Sequence, residues 1–269
     1  MIKANFHTHT TFCDGKNTPE EMALAAIKLG MTAIGFSGHA YSVYEPYGMK
    51  APVCAAYRDE IIRLKSVYGD RIQIFLGIEQ DSTSDPLDYP YDYVIGSIHG
   101  FFKDGCYLSV DESEESMVQN VANHYDGNYY AYAKDYYDTL ANTMLKYDPS
   151  FIGHFDLLTK FNEGGKYFDE SHPSYRKAAL NALEKLIPAG KPFEINTGAI
   201  SRGYRTTPYP APFILRAIHE MGGKIILSGD THACDGLLCK YEEATELAKT
   251  CGFTTAVILT PDGFKECLL

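Results

Sequence analysis

The sequence predicts an α/β fold, and within that class a closed parallel barrel with helices outside. Three observations predict it. Short apolar runs alternate with helical patterns along all 269 residues, which implies a parallel sheet covered by helices. Nearly every run is followed, at the same end, by a residue able to bind a metal. The length suits one large unit, since α/β barrels of roughly 250 residues occur as single domains. Ligands dispersed over the whole chain favour closure. An open sheet builds its site at one switch point between a few strands. In a barrel all strand ends converge on one face, and that face carries the active site.

The first run, 2–6, ends in His7-Thr8-His9. Strand side chains repeat every second residue, so both imidazoles point to one side and can reach one metal ion. Asp14 follows in the next loop. Thr18-Pro19-Glu20-Glu21 opens a helix with an N-cap, a proline at the first position and acids in the first turn. Met22, Ala25, Ala26 and Leu29 give it an apolar face, and Gly30 closes it. The run 32–36 leads to His39, and a helix candidate spans 51–68. The run 72–76 leads to Glu79, where a buried carboxylate without a partner would be costly, leaving ligation or a salt bridge. The run 93–97 leads to His99.

The segment 100–150 reads as an elaborated βα loop inside a single domain, 1–269. It holds a turn-rich stretch (Gly100 to Gly105), an acidic stretch (Asp111 to Glu115) and a tyrosine-rich helix candidate over 127–147. Helix packing explains most of those tyrosines; the functional reading puts one or two at a pocket mouth. The run 151–153 leads to His154. Helix candidates at 173–188, 210–221 and 240–250 alternate with runs at 193–195, 224–228 and 255–259. The run 224–228 leads to Asp230 and His232, which repeat the alternate-residue geometry of the first motif.

The candidate metal ligands are therefore His7, His9, Asp14, His39, Glu79, His99, His154, Asp230 and His232. Imidazole and carboxylate together suit zinc, manganese or iron. Nine side chains exceed what one ion takes, so the set would serve two or three divalent ions with a carboxylate bridging. His124, His172 and His219 lack a strand-end context and read as surface histidines. Arg202 and Arg205, in the loop after 193–195, would face the metals and suit bidentate recognition of phosphate, with pairing to a surface acid as the competing reading. Lys160 is a weaker candidate of the same kind.

The net charge of −11 and pI near 5.2 argue against nucleic acid or an anionic membrane as a partner. They do not exclude an anionic small substrate, because metal ions add local positive charge. Seven cysteines, with no Cys-x-x-Cys pair, fit reduced thiols in the cytoplasm. The first residues run straight into the metal motif, leaving no room for a signal peptide, and no apolar run approaches the ~20 residues of a membrane span. There is no Walker A motif and no Gly-x-Ser-x-Gly elbow. Nothing here specifies an oligomeric state.

The order His7-x-His9, Asp14, His39, Glu79, His99, His154, Asp230-x-His232 resembles the polymerase and histidinol phosphatase (PHP) superfamily, from end to end of the chain. Gly-Ser-Ile-His-Gly at 96–100, Gly-His-Phe-Asp-Leu-Leu at 153–158, and Glu194-Ile195-Asn196-Thr197-Gly198 followed by Arg202 are most similar to its monofunctional histidinol-phosphatase branch. The resemblance implies a distorted (β/α)7 TIM-like barrel with a trinuclear metal centre. Eight apolar runs are counted above, so one of them is not a strand or lies outside the barrel. Carried over by position, His7, His9, Glu79 and Asp230 would hold the first metal. Glu79, His99 and His154 would hold the second, with Glu79 bridging, and Asp14, His39 and His232 the third. Relatives often carry an arginine before the lysine that matches Lys160; here that position is Thr159.

The implied activity is hydrolysis of L-histidinol phosphate, a step of histidine biosynthesis, by attack of a metal-bridging hydroxide on phosphorus. The metals, Arg202 and Arg205 would neutralise charge on the equatorial oxygens, and Asp230 or His232 would assist the leaving group. The alternatives are another small phosphoester such as a nucleotide or sugar phosphate, a metal-dependent amidohydrolase, and a non-catalytic binding module. Glu79, where amidohydrolases often use a modified lysine, counts against the second of these, and retention of all nine ligands counts against the third.

Overall fold

The computed structural model describes residues 2–269. β1 (Ala4–Asn5) leads through α1 (Pro19–Lys28) to β2 (Ala33–Phe36), and α2 (Ala51–Tyr68) leads to β3 (Gln73–Asp81). After β4 (Tyr93–Ser97) come the strands β5 (Gly100–Lys103) and β6 (Cys106–Ser109), then α3 (Glu114–Tyr125) and α4 (Tyr129–Tyr147). β7 (Phe151–Ile152), α5 (Pro173–Leu186) and β8 (Phe193–Asn196) follow. α6 (Gly198–Ser201) and α7 (Pro212–Glu220) precede β9 (Ile225–Ser228), and α8 (Tyr241–Thr250) precedes β10 (Thr255–Thr260) and β11 (Gly263–Leu268).

Seven strands form one sheet in the order β1-β2-β3-β4-β7-β8-β9, parallel throughout. The first and last strands meet just beyond their ends. His9 N donates to Thr231 O at 2.8 Å and Thr231 N to His7 O at 3.0 Å, so a parallel bridge at Thr8 and Thr231 closes the barrel. The eighth apolar run, 255–259, becomes β10. It pairs antiparallel with β11 outside the barrel sheet. A chain end that returns as a hairpin satisfies its own backbone groups and needs no place in the parallel ladder.

The barrel interior is filled at one level by Tyr93. Its hydroxyl donates to Phe6 O at 2.6 Å and to Phe36 O at 3.1 Å, and its ring stacks on Phe151 at 5.9 Å. That ring fits because the neighbouring strands present glycines. A Cβ on Gly77 would lie 2.1 Å from the Tyr93 ring, and one on Gly35 would lie 2.4 Å from its hydroxyl.

Local chemistry explains most boundaries. α1 begins with a capping box: Thr18 accepts from Glu21 N while Glu21 Oε2 accepts from Thr18 N at 2.8 Å. Its buried face is Met22, Ala23 and Ala26; Leu29 is exposed, so the buried stripe is narrower than its apolar residues suggest. α4 begins two residues later than expected because Gly127 has φ +79° and Asn128 caps the helix with its side chain. Its tyrosines are core residues: Tyr132, Tyr136 and Tyr137 are buried, against Phe101 and Phe155. The tyrosines that line the cavity described below come instead from the loop after β2 and from β6.

The β5–β6 hairpin and α3 were not separated in the sequence reading. Asp104 and Gly105 both take positive φ, 51° and 80°, which is the backbone of a two-residue type I′ turn. The Asp-Gly pair was the available signal. Ser113 caps α3 with its side chain, so Glu114 and Glu115 of the acidic stretch form the helix's first turn, while Asp111 and Glu112 precede it. Among the described residues no helix is long and apolar enough to cross a membrane.

Candidate metal centre

Eight of the nine candidate ligands sit at or just past the C-terminal end of a barrel strand, and Asp14 lies farther along the loop after β1. The barrel therefore turns a set spread over the whole chain into one cluster. Glu79 is its centre. Its Oε2 lies 3.3 Å from His7 Nε2, 3.5 Å from His9 Nε2 and 2.9 Å from His39 Nδ1. Its Oε1 lies 3.1 Å from His154 Nε2 and 3.6 Å from His99 Nε2, and accepts a 2.6 Å hydrogen bond from Ser97. Asp230 Oδ1 faces His9 Nε2 at 3.3 Å and His7 Nε2 at 3.7 Å. Asp14 joins the other end, 3.5 Å from His39 Nε2 and 3.2 Å from His232 Nε2.

Four groups have ligand atoms within 4.8 Å of one another: His7, His9 and Asp230; His7, Glu79 and His154; His39, Glu79 and His99; and His9, Asp14, His39 and His232. All nine expected ligands are brought together. The donor set fits metal ions on a second ground: His7 Nε2, His9 Nε2 and Glu79 Oε2 are buried without a hydrogen-bond partner among the described residues. Buried polar atoms left unpaired are costly, and their convergence on one point is what an ion would satisfy.

The charges are balanced by one another. Burial pushes Glu79 up, but His7, His39 and His99 outweigh it and hold its carboxyl well below the usual range. Burial also pushes Asp230 up, and Arg202 and His7 hold it well below. His9 is lowered to about 3 by burial and by the neighbouring His39 and His232. Asp230 has φ +44°, a left-handed backbone that L residues adopt at some cost. Gly198 makes room for it, since a Cβ there would lie 2.7 Å from the Asp230 Cβ.

Behind the ligands stand residues that sequence reasoning did not assign. Glu194, fully buried in β8, accepts from His7 Nδ1 at 2.7 Å, His154 N at 2.7 Å, Ser228 Oγ at 2.6 Å and Asn196 Nδ2 at 2.8 Å. The available signal was a charge inside the apolar run Phe193-Glu194-Ile195. Asp81 accepts from His99 N at 2.6 Å and lies 3.3 Å from His99 Nδ1. It follows Glu79 by two residues, the same alternate spacing that marks the ligands.

The cluster opens into a cavity of about 360 Å³. Arg202 and Lys160, two of the three basic candidates, line it. Arg202 donates to Asp230 Oδ2 at 3.0 Å, and Lys160 donates to Asp111 O at 2.7 Å and to its Oδ2 at 3.1 Å. Arg205 is placed differently. It donates to Thr159 O at 2.6 Å, lies 3.2 Å from Glu163 and 3.4 Å from Glu170, and is not among the residues lining the cavity. The competing reading of that arginine, pairing with acids, is the one its geometry matches. His172 caps α5 and His219 is exposed on α7, both away from the cluster.

Residues 5–198 match the PHP domain model. The chain belongs to the PHP domain family. This PHP domain is 30% identical to the probable histidinol-phosphatase of Schizosaccharomyces pombe over 219 residues, which are 77% of this chain and 70% of that one. It is 28% identical to the probable histidinol-phosphatase of Deinococcus radiodurans over 268 residues, covering 93% and 94% of the two chains. Its fold is that of the histidinol phosphate phosphatase of Lactococcus lactis, solved with zinc, L-histidinol and phosphate: the TM-score is 0.73 at 21% identity, covering 98% of this chain and all of that one.

Proposed function

We propose that this PHP domain is a metal-dependent phosphomonoesterase that hydrolyses L-histidinol phosphate to L-histidinol and phosphate, in histidine biosynthesis. The observation that carries the reading is the meeting, in one cavity, of the Glu79-centred ligand cluster with the cations Arg202 and Lys160. The identity of the alcohol is supported by the names of the relatives that align along nearly the whole chain.

Two or three divalent ions fit the donors, with zinc favoured by its presence in the Lactococcus lactis protein and manganese or iron also compatible with imidazole and carboxylate. His7, His9, Glu79 and Asp230 would hold one, Glu79, His99 and His154 a second, and Asp14, His39 and His232 a third. Bound there, such ions supply water activation near neutral pH and charge neutralisation at phosphate.

The chain's own residues do the positioning. Glu79 spans the cluster, one carboxylate oxygen toward each side. Arg202, anchored by Asp230, presents a planar guanidinium suited to two phosphate oxygens, and Lys160 adds a point charge. Arg202 and His7 hold Asp230 ionised, so it carries no proton to give the leaving alkoxide. Transfer then goes directly to water, with no phosphoenzyme. The free thiols of all seven cysteines fit a reducing cytoplasm.

The test is phosphate release by the purified, metal-analysed protein from L-histidinol phosphate, beside a panel of nucleotide and sugar phosphates. A strong preference for L-histidinol phosphate with two or three metals per chain is expected. Activity confined to the other phosphoesters would discard the substrate, and no activity in the fully metallated protein would discard the phosphatase.

A further inference from the structure

One group in the cavity wall has no role in the metal cluster. Glu45 lies in the loop after β2, in Tyr44-Glu45-Pro46-Tyr47, and is 7% exposed. It lines the same cavity as Arg202 and the ligands. Its Oε1 accepts a hydrogen bond from the Tyr107 hydroxyl of β6, and among the described residues it has no ion-pair partner. A carboxylate taken this far from water without a cation is unfavourable, because the desolvation is not repaid. The nearby acid Asp111 shows the contrast: it is answered by Lys160 at 3.1 Å.

The surroundings of Glu45 are aromatic and polar at once. Tyr44 stacks on Tyr107 with ring centroids 5.0 Å apart, and Phe102 meets Tyr44 edge-on at 5.0 Å. Tyr47 lies over His39 at 4.3 Å, and its hydroxyl is buried without a partner. Aromatic faces beside a buried carboxylate favour a compact organic cation. The cavity thus has a cluster and two cations suited to a phosphate, and next to them an acidic, aromatic wall suited to positive charge.

We propose that Glu45, held by Tyr107, is the residue that selects for a positively charged group, an ammonium above all, on the leaving alcohol of the phosphoester. This rests on the phosphatase reading of the same cavity. Binding such a substrate would complete the missing ion pair, and a neutral alcohol would leave Glu45 buried and unpaired. Discrimination of this kind works mainly by penalising the wrong ligand.

The test compares wild type, Glu45→Gln and Tyr107→Phe, each zinc-loaded with bound zinc measured, on L-histidinol phosphate and p-nitrophenyl phosphate. The ratio of kcat/KM for the cationic over the neutral substrate should fall on the order of ten- to a hundredfold in Glu45→Gln, mostly through KM. Tyr107→Phe should move it the same way by less. An unchanged ratio, or loss of zinc from Glu45→Gln, would overturn the proposal, the latter by making Glu45 a metal ligand. Should Glu45→Gln not fold, product inhibition of the wild type decides. L-histidinol should inhibit p-nitrophenyl phosphate hydrolysis far more strongly than imidazolepropanol, which lacks the ammonium, and equal inhibition would sink the idea. A wild type active on p-nitrophenyl phosphate but not on L-histidinol phosphate would remove the assigned substrate alone. The role of Glu45 would then stand if O-phosphoethanolamine is preferred to glycerol phosphate and Glu45→Gln removes that preference, and fall otherwise.

Discussion

Glu194 Oε1 sits 2.7 Å from His7 Nδ1, and both side chains are fully buried. The contact fixes which nitrogen of His7 faces the cluster, since the proton on Nδ1 leaves Nε2 free toward Glu79 and Asp230. Glu194→Gln keeps the shape and removes the charge. It should weaken metal binding by roughly 10–100-fold. Competition against a chelator of known affinity measures this, and affinity equal to wild type would show that the carboxylate charge does not matter.

Arg202 and Arg205 are three residues apart and should behave as opposites. Arg202→Ala should raise KM and weaken inhibition by inorganic phosphate, because the guanidinium lines the cavity. Arg205→Ala should spare phosphate inhibition but lower unfolding stability by roughly 1–3 kcal/mol, because it strips the Thr159 carbonyl of its arginine donor and leaves Glu163 and Glu170 without their cation. Chemical denaturation and phosphate inhibition on both variants separate the two roles; a phosphate effect at Arg205 would contradict its placement.

Metal removal should cost stability as well as activity. The buried carboxylates Glu79, Glu194 and Asp230 lie around the same histidines, and an ion bound only by the native state stabilises it by mass action. At a hundredfold excess over Kd this is about 2.7 kcal/mol per site. Thermal unfolding of chelated protein titrated with zinc should show Tm rising with zinc; a flat curve would argue against ions in this cluster.

Gly198→Ala probes the packing behind Asp230. The added methyl would meet the Asp230 side chain, its Cβ at 2.7 Å and its Oδ2 at 2.8 Å. Displacement of Asp230 should reduce activity at least about tenfold while circular dichroism keeps the α/β signature. Wild-type activity in this variant would mean that Asp230 has slack the structure does not show.

The ligands were legible because strand periodicity is a local property. His7 and His9, or Asp230 and His232, declare a shared face by spacing alone, and an apolar run before each one declares the strand. Glu194 was harder to read because its role is made by partners 187 residues away at His7 and 40 away at His154. Arg202 and Arg205 were indistinguishable in sequence, since both follow the same strand. Only the fold places Glu163 and Glu170 beside one and the cavity beside the other. The Asp104-Gly105 turn is legible in the turn-rich stretch 100–105, but the short strands that flank it are not, because each is only four residues long.

The sequence by itself determined the α/β class, the end of the sheet that carries chemistry, the nine ligand candidates and the Thr18 cap of α1, because each of these depends on neighbours within a few residues. The tertiary structure alone decided the closure at Thr8 and Thr231, the exclusion of β10 from the barrel, and which charges meet. Those outcomes depend on contacts between distant segments. Glu45 and Tyr107 show it best: 62 residues apart, on a loop and a hairpin, they share one hydrogen bond at the cavity wall. No pattern within either segment specifies that meeting, because it is set by how the barrel brings its loops onto one face.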